Sequence, residues 1–368
     1  MALSVGIVGL PNVGKSTLFN ALSSKQAEAA NYAFCTIEPN VGVVPVPDPR
    51  FDALVKVVQP EKTQPATVEF VDIAGLVRGA SKGEGKGNAF LANIRECDAI
   101  AHVVRAFEDE NVLHVDNRVD PLADIETIET ELALKDLDTV QKRLDRARRQ
   151  SKGGSAIEKK AIEVCEALEK LLDEGKPARL YEAGDDEDKQ NIVRDLALIT
   201  RKPIFYVCNV KEDQLAAGVA DPLVAKVKAH ADSVGAPVVV ICAKIEAEIM
   251  QLAPEDRADF LAAAGLEEPG LNAVIRTGYR MLDMITYFTA GVKEVRAWTI
   301  KRGTKAPGAA GKIHTDFERG FIRAEVMSWE DRVNLGTEAA VKAAGKMGIE
   351  GKEYVVRDGD VMHFRFNV

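Results

Sequence analysis

Paired cysteines, long apolar runs and an excess of positive charge are all missing from this 368-residue chain. Its five cysteines, Cys35, Cys97, Cys165, Cys208 and Cys242, stand far apart and form no Cys-x-x-Cys pair. That argues against a disulfide framework or a zinc site and fits a reducing, cytoplasmic setting. No stretch approaches the roughly 18 consecutive apolar residues of a membrane span. The start, Met1-Ala-Leu-Ser-Val-Gly, has no basic segment ahead of an apolar core. Neither a membrane partner nor a secretory leader is therefore expected. Lys and Arg number 48 against 57 Asp and Glu, a net charge of −9. This argues against the whole molecule wrapping nucleic acid, but leaves room for a local basic patch.

What remains is a normal globular balance, 46% apolar and 29% charged, in a chain too long for one ordinary core. Two or three domains are expected. Short apolar runs recur at Val5 to Val8, Val41 to Val46, Thr67 to Ile73, Ala99 to Val104, Ile204 to Val207 and Val238 to Ile241. Continuous runs of this kind, alternating with helical stretches, predict an α/β fold with a buried, mostly parallel sheet. Between about Pro121 and Thr200 strand-like runs stop. Ile128, Leu132, Leu137, Val140, Leu144 and Ala147 follow helical spacing, Ser151 to Ser155 breaks it, and Ile157, Ala161, Val164, Leu168 and Leu171 resume it. This predicts a helical hairpin inserted between the fourth and fifth strands of that series. From about Met284 the pattern changes to a small α+β domain. Strands are expected at Val295 to Ile300, Phe321 to Val326, Tyr354 to Val356 and Val361 to Phe366, with a basic Gly/Pro loop at Lys301 to Lys312 and a helix at Glu338 to Lys346. Asp358-Gly359 fits a tight turn. The expected organisation is a nucleotide-binding domain over 1–283, containing the 121–200 insertion, followed by 284–368.

The chemistry is concentrated near the start. Gly9-Leu-Pro-Asn-Val-Gly14-Lys15-Ser16 matches GxxxxGK[ST], directly after a predicted strand and opening a predicted helix from Thr17 to Ser23. Such a P-loop turns backbone N–H groups inward around phosphates and adds the positive end of a helix dipole. Asn12, Val13, Gly14, Lys15, Ser16 and Thr17 are the expected phosphate-side contacts. Lys15 would reach the β- and γ-phosphates and the Ser16 hydroxyl would bind Mg2+. Asp72-Ile-Ala-Gly75 ends the third strand, where Asp72 would support the magnesium shell and the Gly75 N–H the γ-phosphate. Thr36 lies between the two motifs, where a switch threonine caps the metal; a plain turn residue is the alternative. The segment from Arg78 to Asn88 carries four glycines in its 11 residues and reads as a nucleotide-sensing switch or, more plainly, a surface linker.

Guanine is usually read by Asn-Lys-x-Asp after the fifth strand of such a domain. Here the segment is Asn209-Val210-Lys211-Glu212. Glu212 is one methylene too long for the usual geometry, and Val210 stands where a lysine stem would cover the base. Both changes weaken guanine selection and favour ATP. Cys242-Ala243-Lys244 pulls the other way, since it resembles the Ser-Ala-Lys of guanine sites, so GTP or dual use stays open. Leu76 replaces the glutamine that orients water in Ras-like enzymes, and an apolar side chain cannot align a nucleophile. His114 is a candidate for that task, with a surface loop histidine as the plainer alternative. Asn12 could hold a monovalent cation such as K+ near the phosphates, or simply serve the turn.

These segments together resemble the YchF family of Obg-like ATPases. The resemblance runs through residues 9–17, 31–40, 72–85 and 209–212 to Tyr287-Phe-Thr-Ala-Gly-Val-Lys-Glu-Val-Arg-Ala-Trp298, and covers essentially the whole chain. It implies an Obg-type G domain with a helical insertion and a C-terminal TGS domain of β-grasp type. It implies ATP over GTP, stimulation by K+, a histidine on a mobile loop as the water-orienting group, association with ribosomes and a link to stress responses. His114 falls in the matching stretch. A monomer is expected. Two basic groups could touch rRNA: Lys142, Arg143, Arg146, Arg148, Arg149 and Lys152 on the hairpin, and Lys293, Arg296, Lys301, Arg302, Lys305 and Lys312 near the C-terminus. For the first group a solvated helix face laced with ion pairs is the alternative. Trp298 and Phe317 read as core. The remaining functional alternative is a nucleotide-gated ribosome-binding module with negligible turnover.

Overall fold

The computed structural model describes residues 3–28, 40–73, 86–109 and 118–367. Its strands are β1 (Ser4–Val8), β2 (Val41–Pro45), β3 (Lys62–Gln64), β4 (Thr67–Asp72), β5 (Ala99–Arg105), β6 (Ile204–Asn209), β7 (Val238–Ile241), β8 (Met284–Ala290), β9 (Glu294–Lys301), β10 (Phe321–Ser328), β11 (Gly348–Glu350) and β12 (Asp360–Phe366). The described residues of 1–25, 37–42 and 69–278 form one compact unit, and those of 26–36, 43–68 and 279–368 form the other. The second unit thus takes in an early stretch, 43–68, whose sequence gives no sign of belonging with the C-terminus.

The first sheet has the order β2-β4-β1-β5-β6-β7, and β4, β1, β5, β6 and β7 run parallel. Every residue of β5 and β6 is buried, as the unbroken apolar runs require of a sheet covered on both faces. The parallel order brings the C-terminal ends of β1, β4, β5, β6 and β7 to one edge, where open α/β sheets bind ligands.

The insertion is a helical hairpin. Its first helix, Pro121–Gln150, starts on an Asp120 N-cap with proline at the first turn. A break at 151–155, with Gly154 at φ 84°, leads to the second helix, Ala156–Asp173. Val140, Leu144 and Ala147 meet Ala161, Val164, Cys165, Leu168 and Leu172 in a core that also takes Ile192 and Val193 from the helix Glu187–Asp195. Ile157, counted in the sequence stripe, is 43% exposed. Three of the basic residues are paired: Arg143 with Glu158 at 2.8 Å, Lys142 with Asp138 at 2.7 Å and Arg148 with Glu166 at 3.0 Å.

The second sheet has the order β11-β10-β12-β8-β9-β3. β8 and β9 are antiparallel, β12 and β8 parallel, and β3 adds to the edge in parallel register with β9, Thr63 opposite Val295. The helix Pro49–Val58 buries Phe51 and Leu54 in this unit, with the Phe51 ring 6.5 Å from Phe288. Two sequence expectations are corrected here. The basic Gly/Pro loop holds a helix, Ala306–Ile313, because Ala306, Ala309 and Ala310 are small enough to bury completely against the sheet, where Tyr287 donates its hydroxyl to the Ala309 carbonyl. Tyr354 to Val356 is not a strand but a single bridge, Val355 to Lys305. Trp298 packs beside the core, stacked on Tyr287 and with Arg296 Cζ 3.8 Å from its ring centroid, and Phe317 stacks on Phe366.

Candidate nucleotide-binding site

β1 ends at Val8 and the chain turns through Gly9 to Gly14 before a helix begins at Lys15. Glycine is required at both ends of the turn. Gly9 has φ 154°, and a Cβ there would lie 2.4 Å from the Val103 carbonyl oxygen. Gly14 has φ 99°, and a Cβ there would lie 2.3 Å from Asn209 Nδ2. Asn12 holds φ 61°, which asparagine tolerates better than most side chains. The first helical bond runs from Leu18 N to the Gly14 carbonyl at 2.9 Å. The N–H groups of the helix's first turn have no intrahelical acceptor, and Gly14, Lys15, Ser16 and Thr17 line a cavity of about 970 Å³. Amides at a helix start, opening on a cavity, form an anion site.

Lys15 is only 7% exposed, and its Nζ donates to the Leu10 carbonyl at 2.7 Å. Burial pulls its pKa down to about 8, opposed by the nearby Asp72 carboxylate. Burial pushes Asp72 up, opposed by Lys15. A cation so poorly solvated has its natural partner in an arriving phosphate. The Ser16 hydroxyl and the Asp72 carboxylate are hard oxygen donors, the type that suits Mg2+.

The far side of the cavity is set by Asn209, the last residue of β6. Its Nδ2 donates to the Val13 carbonyl at 3.0 Å and its Oδ1 accepts from the Ala243 N–H at 2.9 Å. One buried side chain thus ties the P-loop to the segment after β7. Gln214 braces the loop from below: its Oε1 accepts from the Lys211 N–H at 2.9 Å and its Nε2 donates to the Ala106 carbonyl at 3.1 Å. Glu212 is exposed and lines the cavity, whereas Val210 is buried. Val210 therefore leaves no long arm over a ligand.

Of the residues singled out from sequence, Asn12, Gly14, Lys15, Ser16, Thr17, Asn209, Val210, Glu212 and Ala243 line this one cavity. Val13 lies beneath it, buried, and offers its carbonyl to Asn209. Asp72 reaches Lys15 electrostatically. Thr36, Gly75, Leu76 and His114 lie outside the described residues. Sequence reasoning missed Phe107 and Asp109 in the wall, and Lys211 and Asp213 beside Glu212. A signal for the first two existed: in a parallel sheet whose ligand edge is fixed by a P-loop after β1, the residues just beyond β5 border the same crevice.

Fold and site together define a P-loop G domain, built to hold a nucleoside triphosphate at the C-terminal edge of its sheet. A family model described as a 50S ribosome-binding GTPase, MMR_HSR1, matches residues 4–140. A second, YchF-GTPase_C, described as a protein of unknown function (DUF933), matches residues 284–367. The chain is 55% identical over 368 residues to the ribosome-binding ATPase YchF of Haemophilus ducreyi, with all of both chains covered. It is 54% identical over the same span to the protein of that name in Bacillus subtilis, again with both fully covered. To Obg-like ATPase 1 of Pongo abelii it is 45% identical, covering 100% of this chain and 93% of that protein. The YchF GTPase structure of Schizosaccharomyces pombe superposes with a TM-score of 0.88 at 39% identity, over 99% of this chain and 97% of that one. The chain belongs to the YchF family.

Proposed function

We propose that this protein binds ATP with Mg2+, hydrolyses it, and uses the nucleotide state to control association with ribosomes in the cytoplasm. The observation that carries the reading is the cavity itself, in which a poorly solvated Lys15 and a helix start stand opposite a base-side loop ending in Glu212. The names of the bacterial relatives, ribosome-binding ATPases, point the same way. A carboxylate accepts hydrogen bonds from guanine N1–H and the 2-amino group only when correctly placed, and the longer Glu212 arm misplaces it.

Lys15 would leave the Leu10 carbonyl for the β- and γ-phosphate oxygens, while the amides of Gly14 to Thr17 hold the phosphate chain. Ser16, Asp72 and Thr36 would hold the magnesium ion, which when bound neutralises charge developing on the phosphates. The Gly75 N–H would contact the γ-phosphate and His114 would orient the attacking water. His114→Ala should bind ATP normally and hydrolyse it more slowly; an unchanged rate would remove His114 from the mechanism. Asn12 is exposed and lines the cavity, and its side-chain oxygen would hold K+ near the phosphates. The C-terminal unit is read as a TGS domain.

One observation favours a second reading, use of GTP: Ala243 and Lys244 both line the cavity as the matching residues of guanine sites would. Lys244, however, is 81% exposed and pairs along its own helix with Glu248 at 3.9 Å. A side-by-side titration of ATP and GTP with Mg2+ tests the choice. Tighter binding of GTP would overturn the ATP reading.

A further inference from the structure

Arg105 is the last residue of β5 and ranks among the largest fully buried side chains, at 2% exposed. A guanidinium out of water is costly unless its donors are satisfied. Two of those donors go to the main chain just downstream. Nε donates to the Phe107 carbonyl at 3.0 Å and Nη2 to the Asp109 carbonyl at 3.1 Å. Its Cζ also sits 4.7 Å from the centroid of the Phe107 ring, a cation–π distance. The segment so held has no regular structure of its own. Phe107 and Asp109 line the nucleotide cavity, while Glu108 between them is exposed. The next link is also main-chain: the Ala106 N–H donates to the Asn209 carbonyl at 2.9 Å, so this wall is continuous with the Asn209–Asp213 loop.

We propose that Arg105 is a positioning residue for the nucleotide pocket. From below it fixes residues 107–109 as a preformed wall beside the base-reading loop, without touching the ligand itself. This rests on the reading of the cavity as a nucleotide site. A wall already ordered costs the ligand nothing to arrange, whereas an unheld segment must be ordered on binding and the affinity drops accordingly. The wall's own hydrogen bonds run to the Asn209 carbonyl and the Gln214 side chain on the base side, and it meets the P-loop only through Asn209 among the described residues, so its loss should fall mainly on the nucleoside. The planar fork is essential, because a lysine keeps the charge but cannot span two carbonyls and lie flat on a ring.

The test compares Mg·ATP with Mg·tripolyphosphate, which lacks the nucleoside, on wild type, Arg105→Lys and Arg105→Gln. Both variants should bind ATP about tenfold more weakly and tripolyphosphate within about twofold of wild type. Adding Phe107→Ala to Arg105→Lys should weaken ATP binding further by much less than Phe107→Ala does alone. ATP affinity equal to wild type, or equal loss of both ligands, overturns the proposal. Should neither variant fold, Phe107→Ala decides. A loss of ATP affinity with tripolyphosphate spared supports a wall at the nucleoside, and no loss, or an equal loss of both ligands, overturns it. Wild type failing to bind ATP while binding tripolyphosphate would instead sink the nucleotide reading.

Discussion

Gly14 and Asn209 interlock: the Cβ that Gly14 lacks would fall 2.3 Å from Asn209 Nδ2, the same atom that donates to the Val13 carbonyl. The phosphate-side turn and the base-side strand are therefore a single piece. Gly14→Ala should displace Asn209 and lose nucleotide binding altogether. Asn209→Ala frees space but strands the Val13 carbonyl and the Ala243 N–H, at about 1–3 kcal/mol for each buried group left unpaired. It should lower the thermal midpoint by several degrees and weaken ATP binding at least tenfold. Scanning fluorimetry and calorimetric titration check both, and a Gly14→Ala protein that still binds ATP refutes the interlock.

Lys15→Ala should abolish nucleotide binding while shifting the melting temperature little. The buried amine gains one hydrogen bond, to Leu10, yet bears the desolvation that draws its pKa to about 8, so removing both nearly cancels. Retention of wild-type affinity would discard the phosphate assignment.

Base selection should turn on Glu212 more than on Val210. Glu212 is exposed at the cavity and can be shortened freely, whereas Val210 is 2% exposed and a lysine there must force its way out. Glu212→Asp alone should move preference towards GTP, and adding Val210→Lys should cost stability. Competition between labelled ATP and GTP measures the shift; none would mean the base is read elsewhere.

His102, on β5, is buried with its Nδ1 unpartnered, its ring 5.6 Å from Tyr206. Tyr206 donates to Glu129 at 2.5 Å and lies 3.1 Å from His230 Nε2. Burial, opposed by Glu129, lowers the His102 pKa from 6.5 to about 4. The unfolded chain then binds the proton more readily than the folded one. Stability should fall as pH drops below 6.5 and level off near 4, by about 3 kcal/mol for this group. Glu129, whose pKa is lowered, adds a loss in the acid range as its own interactions are protonated away. Urea denaturation of wild type and His102→Gln between pH 4 and 7 isolates the histidine. Parallel curves would show that His102 titrates normally.

The parallel sheet and the hairpin were legible because each depends on local pattern: unbroken apolar runs for β1, β5 and β6, and helical spacing for Val140, Leu144, Val164 and Leu168. The P-loop was legible because its glycines answer backbone demands visible in the motif. The placement of the Pro49–Val58 helix and of β3 was not, because it depends on partners more than two hundred positions away. β3 is three residues long and acquires meaning only beside β9. The helix from Pro49 did carry a local sign, an Asp48 N-cap whose side chain accepts from the Arg50 N–H, with proline at the first turn. The Ala306–Ile313 helix was hidden by its own glycines, since burial of small side chains overrode weak propensity. Phe107 and Arg105 carry no motif, and their roles follow from where β5 ends.

The early enlistment of 43–68 by the C-terminal unit bears on how the polypeptide can be made and cut. On the ribosome that produces it, the stretch bearing Phe51 and Leu54 emerges long before Phe288 and β9, and must wait with its greasy side bare. For the same reason no single scission liberates a self-sufficient amino-terminal fragment. A product ending at 278 would carry an orphaned helix and a strand without a neighbour, a recipe for clumping.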